Sequence, residues 1–202
     1  MTVRTVVIIV LLVVAVVAVV ALVRARRARP DQGEGQAPPR RDPFADAHGN
    51  EQALYRLKVG DVVTFEATDH FVRGSIRYDA SGYTWAEHLI DDDRAQHWVS
   101  VEDDEGIAVA VWQEVAPGDV DGEPGADRVA HGQHTYRLQE QGSASYTAEG
   151  TTGTAPTGTA RYVDYDGPDG ALLSFEQFGQ SWEVSVGRPV RPRALIVYPT
   201  SS

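Results

Sequence analysis

The sequence predicts an all-β protein: antiparallel strands in two related copies, arranged as a β-sandwich or barrel, behind one N-terminal transmembrane helix. Three observations carry this. Residues 6–23 are an unbroken apolar run. From residue 54 onward, apolar and polar residues alternate and are punctuated by Gly, Asp and Pro, which is the pattern of strands and turns rather than helices. Short motifs also recur at a fixed spacing.

The apolar run, VVIIVLLVVAVVAVVALV, would extend about 27 Å as a helix at ~1.5 Å per residue, close to the hydrocarbon thickness of a bilayer. No small-residue cleavage site follows it. Instead Arg24, Arg26, Arg27 and Arg29 flank its C-terminal end, against Arg4 at the other. Positive charge stays cytoplasmic. Residues 1–29 are therefore read as a single-pass anchor that places the C-terminal domain in the cytoplasm, with the bilayer as its first partner. Residues 30–53 are rich in Pro, Gly and charge and read as a linker.

Charge divides at the same place. Residues 1–41 hold seven arginines and two acids, which leaves 11 basic and 27 acidic residues in 42–202. So acidic a domain is repelled by nucleic acid, and no nucleic-acid partner is expected. The chain has no cysteine, which excludes disulfides and thiolate metal sites.

The domain spans residues 54–198, with copies at about 57–115 and 134–190. Alternation places strands at 62–67, 70–79, 83–90, 96–102 and 107–115, then at 135–140, 143–149, 158–165, 171–178, 181–186 and 195–198. The Gly/Pro/Asp-rich segment 116–133 reads as a loop between the copies. Gly74–Tyr78 (GSIRY) matches Gly158–Tyr162 (GTARY), and Trp98 matches Trp182, both 84 residues on. Gly82 and Gly170, and Glu87 and Glu176, recur between them. If residues 79–82 form the first hairpin turn, Tyr78 faces Tyr83, Ile76 faces Trp85 and Gly74 faces Glu87. That face is apolar and would be the core side, with one exception, the inward Glu87. The other face, with Arg73, Ser75, Arg77 and His88, suits solvent.

LKVGDVVTF, DHFVRGSIRYDASGYTWAEHLIDDD, HWVSVEDDEGIAVAVW and TARYVDYDGPDGALLSFEQFGQSWEVSVGRPV together resemble the bacterial domain of unknown function 4178 family, in its membrane-anchored actinobacterial form. The resemblance covers Leu57 to Val190. It implies an envelope-associated role and carries no accepted catalytic residues.

Glu87 and Glu176 are the candidate catalytic pair. A carboxyl on an apolar face has a raised pKa and can exchange protons near neutrality. That role requires the two to converge within about 5–10 Å. The structural alternative is a glutamate opposite glycine that binds backbone N–H groups or an arginine of the other copy. His131 and His134 are weak metal candidates without cysteine or a clear carboxylate partner. Asp164, Asp166 and Asp169 in DYDGPDG come nearest to a calcium loop, but Asp-Gly and Gly-Pro steps are turn chemistry first. No cofactor motif is present. The expectation is a non-enzymatic module that binds a protein at the cell envelope, with Trp112 and Tyr165 as its exposed aromatics. The alternatives are a hydrolase-like enzyme using the glutamates, or a small-ligand or metal-binding domain. A deep pocket with perturbed carboxyls would favour a site inside the fold. A long apolar strand edge would favour the partner-binding surface.

Overall fold

The computed structural model describes residues 51–92, 94–103 and 106–200. The predicted membrane helix, its arginine flank and the linker up to residue 50 lie outside them. Among the described residues no helix is long and apolar enough to cross a membrane. A short helical turn covers residues 51–55, so the last linker positions belong to the folded domain.

The chain then runs through twelve strands: β1 (Val62–Phe65), β2 (Thr68–Ala80), β3 (Tyr83–Asp91), β4 (Gln96–Asp103), β5 (Ile107–Val115), β6 (Val120–Asp121), β7 (Arg128–His131), β8 (His134–Gly150), β9 (Thr157–Asp166), β10 (Leu172–Gln177), β11 (Trp182–Val190) and β12 (Leu195–Tyr198). All pairings are antiparallel, in the order β12-β1-β2-β3-β4-β5-β11-β10-β9-β8-β7-β6, and β2 also pairs with β8. That last ladder closes eight strands, β2 to β5 and β11 to β8, into a barrel. β1 with β12, and β6 with β7, are flaps continued from the two long strands.

The segment expected to be a loop between the copies instead carries β6 and β7. Its Asp and Gly residues turn a hairpin. The two strands expected at 135–140 and 143–149 are one, β8, bent by an irregularity between Leu138 and Glu140.

The register of the first hairpin differs from the sequence expectation by two residues. Tyr78 faces Trp85, Ile76 faces Glu87 and Ala80 faces Tyr83. The turn is the two-residue kind, with positive φ at Ser81 (59°) and Gly82 (98°), the conformation that matches strand twist. A slip of two keeps every side chain on its face, so Glu87 still points inward, but across from Ile76 and not from Gly74. Between Val72 and Gly74 the register shifts, and Val72 pairs with Ile90 on the opposite face. Gly74 sits where a side chain would collide with the carbonyl of Thr151.

The face expected to meet solvent is buried. Ser75, Ala86 and His88 are almost fully covered, because the helical turn and the β1–β12 flap fold over it. The core there collects Leu54, Leu57, Val63, Val72, Ile90, Val99, Val101 and Leu195. Arg77 donates to the carbonyls of Tyr55 and Leu57, holding the turn against the wall. Ser75 Oγ lies 2.8 Å from His88 Nδ1, and His88 Nε2 has no partner. Burial, helped by nearby Arg77, lowers the His88 pKa to about 3, so the ring is neutral. A matching core under β6 and β7 contains Val129, Tyr136, Val163, Tyr165, Leu173 and Phe175. Tyr165, expected to be exposed, is 1% accessible. Its hydroxyl accepts from the Gly125 amide at 2.8 Å.

Both large cores thus lie on the outer surface of the barrel, beneath the flaps. Inside are the small aromatic cluster of Tyr78, Trp85 and Tyr146 and a cavity. Around the closed ladder β2–β5 are followed by β11–β8 in reverse chain order, and Tyr78 pairs with Tyr146 where β2 meets β8. The 84-residue matches equate β2 with β9 and β3 with β10, which no rotation of this barrel superposes.

Gly74→Ala should destabilise the protein by about 2–4 kcal/mol in urea denaturation, since backbone rather than a flexible side chain fills the space. A change below 0.5 kcal/mol, within the ordinary range of surface substitutions, would contradict the close approach of β2 to residues 150–151.

Candidate functional site

Alternation fixes what enters the barrel. Leu173 and Phe175 of β10 face the outer core, so Leu172, Ser174 and Glu176 face in. Val99 and Val101 of β4 face out, so Trp98, Ser100 and Glu102 face in. The same logic on every wall strand encloses a cavity of about 360 Å³, within the usual range for a small-molecule site.

Its lining contains eight carboxylates: Glu87, Glu102, Glu114, Glu140, Asp164, Asp166, Glu176 and Glu183. Six aromatic residues line it too: Tyr83, Trp85, Trp98, Trp112, Tyr162 and Phe178. None of its lining residues is Lys, Arg or His. Trp98 and Trp112 are cross-strand partners, and Trp112 Nε1 donates to Ser100 Oγ at 2.9 Å. Trp112, expected on the exterior, is therefore a lumen residue. It lies directly over Gly187, and Tyr162 lies over Gly142. A β-carbon at either glycine would push the ring into the cavity.

Glu87 and Glu176 meet in the interior. The Tyr78 hydroxyl lies 2.9 Å from Glu176 Oε1 and 3.1 Å from Glu87 Oε2, so these two oxygens are no more than about 6 Å apart. Both glutamates are bound by the one Tyr78 hydroxyl, and Glu87 also by the Trp85 side chain. A phenol has one proton to donate. It can serve only one carboxylate at a time, and the other contact needs a proton on a carboxyl.

Electrostatics supplies that proton. Burial raises the Glu87 pKa to about 7, partly offset by the Tyr78 hydrogen bond, with repulsion from Asp164 and Glu102 adding to the rise. Glu176 is raised well above the usual carboxylate range by burial and then by the charge of Glu87. Asp164 rises to about 6, again through burial, against a hydrogen bond from Ser174. Burial and the two glutamates also push the Tyr78 phenol up. The pair as a unit therefore holds a proton near neutrality more readily than free carboxyls do.

The remaining sequence candidates separate. Asp164 and Asp166 point into the lumen. Asp169 sits outside in the turn after β9, with φ 55°. His131 and His134 face each other across the β7–β8 turn, away from the lumen. Among the described residues no three His, Cys, Asp or Glu side chains are grouped to hold a metal ion.

Sequence reasoning missed Tyr78 as the bridge, and Glu102, Glu114, Glu140 and Glu183 as lumen residues. The signal was present in phase: Glu102 is two and four residues from Ser100 and Trp98, and Glu114 is two from Trp112.

The model of the Domain of unknown function (DUF4178) family matches residues 58–192. An uncharacterized protein of Mycobacterium tuberculosis strain H37Rv is 34% identical over 168 residues, covering 79% of this chain and 80% of its own length. An uncharacterized protein of Mycobacterium bovis matches to the same extent. No solved structure matches the chain.

A carboxyl with a folded pKa above its unfolded value binds more protons folded than unfolded. Its contribution is fully present below about 4.5 and is lost as pH rises through the folded value, about 7 for Glu87. Melting temperature should therefore fall between pH 4.5 and 8, in a cation-poor buffer. Glu87→Gln should flatten that fall and stabilise the protein at pH 8 by on the order of 1–3 kcal/mol. An unchanged profile would show that the pair is not held as described.

Proposed function

The chain belongs to the DUF4178 family, and from the geometry of its barrel we propose that it is a binding protein for organic cations, tethered to the cytoplasmic face of the membrane. One observation carries the reading: a lumen, open to solvent at its rim, lined by eight carboxylates, six aromatic residues and no basic side chain. Glu114, Glu140, Asp166 and Glu183 reach solvent at the rim, while Glu87, Asp164 and Glu176 are withdrawn from it, and withdrawn like charges repel one another unless a counter-charge enters. Aromatic faces attract ammonium groups, more strongly once desolvated. Anions and nucleotides are repelled, and a neutral ligand leaves the carboxylates uncompensated. Eight-stranded barrels are wide enough to hold one small ligand.

The tether follows from the apolar run and its arginines. The expected protein partner loses Trp112 and Tyr165 as a surface. It keeps the outer edge of β12, where Ile196 and Tyr198 are half-exposed.

A second reading, acid–base catalysis by two carboxyls, is favoured by the approach of Glu87 to Glu176 across Tyr78. Turnover of a bound amine or glycoside that Glu176→Gln abolishes while binding persists would establish it.

Full-length protein in detergent should show saturable changes in tryptophan fluorescence with alkylammonium ions and none with the matching alcohols. Asp164→Asn or Trp98→Ala should each weaken binding about tenfold, or 1.4 kcal/mol. Equal response to amine and alcohol would overturn the cation reading. For the tether, the chain should stay with membranes after high-salt and alkaline washing, its domain open to protease only from the cytoplasmic side. Release by salt alone would refute it.

A further inference from the structure

We infer that the lumen takes a linear polycation, an alkyl chain carrying two or more ammonium groups, in preference to a compact monocation or a metal ion. This rests on the cation reading above and goes further, to the shape and charge of the ligand.

The first argument is extent. Glu102 lies opposite Ala108 on β5, and Glu114 is six residues further along that strand. At ~3.4 Å per residue the two acids are about 20 Å apart along the wall. The interval is not empty. Glu102 pairs with Trp85, diagonal to Glu87, and its charge is felt by Glu87 and Asp164; Glu87 meets Glu176 at Tyr78; Glu176 is the cross-strand partner of Glu183; and Glu114, opposite Ser185, lies diagonal to Glu183 at the exposed end. The carboxylates form a row through the cavity rather than a ring round one point.

The second argument is charge. The lining carries eight carboxyl groups, spread along the wall, and no basic residue. One monovalent ion would neutralise a single member of the row. A bare metal ion needs three or more ligands at one point, and this lumen provides none among the described residues.

The third argument is the wall between the charges. The rings of Trp98 and Trp112, and Leu172 across from Gly187, interrupt the carboxylates with apolar surface. Methylene segments between ammonium groups match that alternation.

The test uses full-length protein in detergent at fixed ionic strength and pH 7.5, with isothermal titration against butylamine, 1,4-diaminobutane, spermidine, tetramethylammonium and Mg²⁺. Affinity should rise about tenfold or more with each added ammonium group, and tetramethylammonium and Mg²⁺ should compete poorly with spermidine. Glu102→Gln and Glu114→Gln, at opposite ends of the row, should each weaken spermidine severalfold more than they weaken butylamine. Circular dichroism melting confirms that these isosteric variants fold. A flat response across the amine series, or Mg²⁺ equal to spermidine, overturns the polycation inference and leaves cation binding standing. Spermidine affinity unchanged in both variants assigns it to the acidic exterior and also overturns the inference. No binding of any cation removes both readings.

Discussion

Closure of the barrel by the β2–β8 ladder is the constraint on which the rest depends. Each of these strands is long enough to serve two neighbours on one edge. β2 pairs with β1 through its first residues and with β8 through its last. β8 pairs with β7 first and β2 last. The crossover requires the chains to approach closely, and it does so at Gly74 and Gly150, where side chains would strike Thr151 and Arg73 carbonyls respectively. Without this ladder the wall strands would form an open sheet with two unpaired edges. With it, the edges pair with each other and the freed half-strands become the flaps.

The flaps invert the usual economy of a small barrel. A barrel of this size can be filled by side chains facing its axis. Here the large aliphatic residues face outward and are covered by β1, β12 and the helical turn on one side, and by β6 and β7 on the other. Hydrophobic stabilisation is obtained outside the wall, at roughly 25 cal/mol per Å² of apolar surface removed from water. The interior is then released from its structural duty. It can hold carboxylates whose desolvation and mutual repulsion oppose folding, and that arrangement is what makes it a site.

This inversion decides what was legible in the sequence. Strand positions were readable because alternation survives on both kinds of wall, and β5 and β12 fall where alternation places them. Glu87 was readable as inward because parity is insensitive to a two-residue slip. The register itself was not, since Ser81 in a positive-φ turn is uncommon for a non-glycine residue. The second face of the first hairpin was misread for a different reason. Ser75 and His88 look like surface residues, and only the non-local arrival of residues 54–57 buries them. GSIRY (Gly74–Tyr78) has echoes in GTARY of β9 and in GSASY (Gly142–Tyr146) of β8, and only β8 pairs with β2 in the closing ladder. Glu102 falls at the end of the strand expected at 96–102, and nothing local reveals that β4 belongs to a closed wall there.

Tyr78 links fold and site. It stacks on Trp85 at 4.6 Å between ring centroids, faces Tyr146 across the closing ladder, and places its hydroxyl between the two deepest carboxyls. The residue at the centre of the barrel's closure therefore also joins the two carboxyls whose pKa values burial raises. The phenol proton and one carboxyl proton, distributed over three oxygens, hold the Glu87–Glu176 pair together against its own repulsion. An entering ammonium group offers the same pair a second source of compensation. Proton and ligand then compete for one position in the row, so the affinity of the lumen for cations is tied to pH by the same contacts that keep the empty barrel closed.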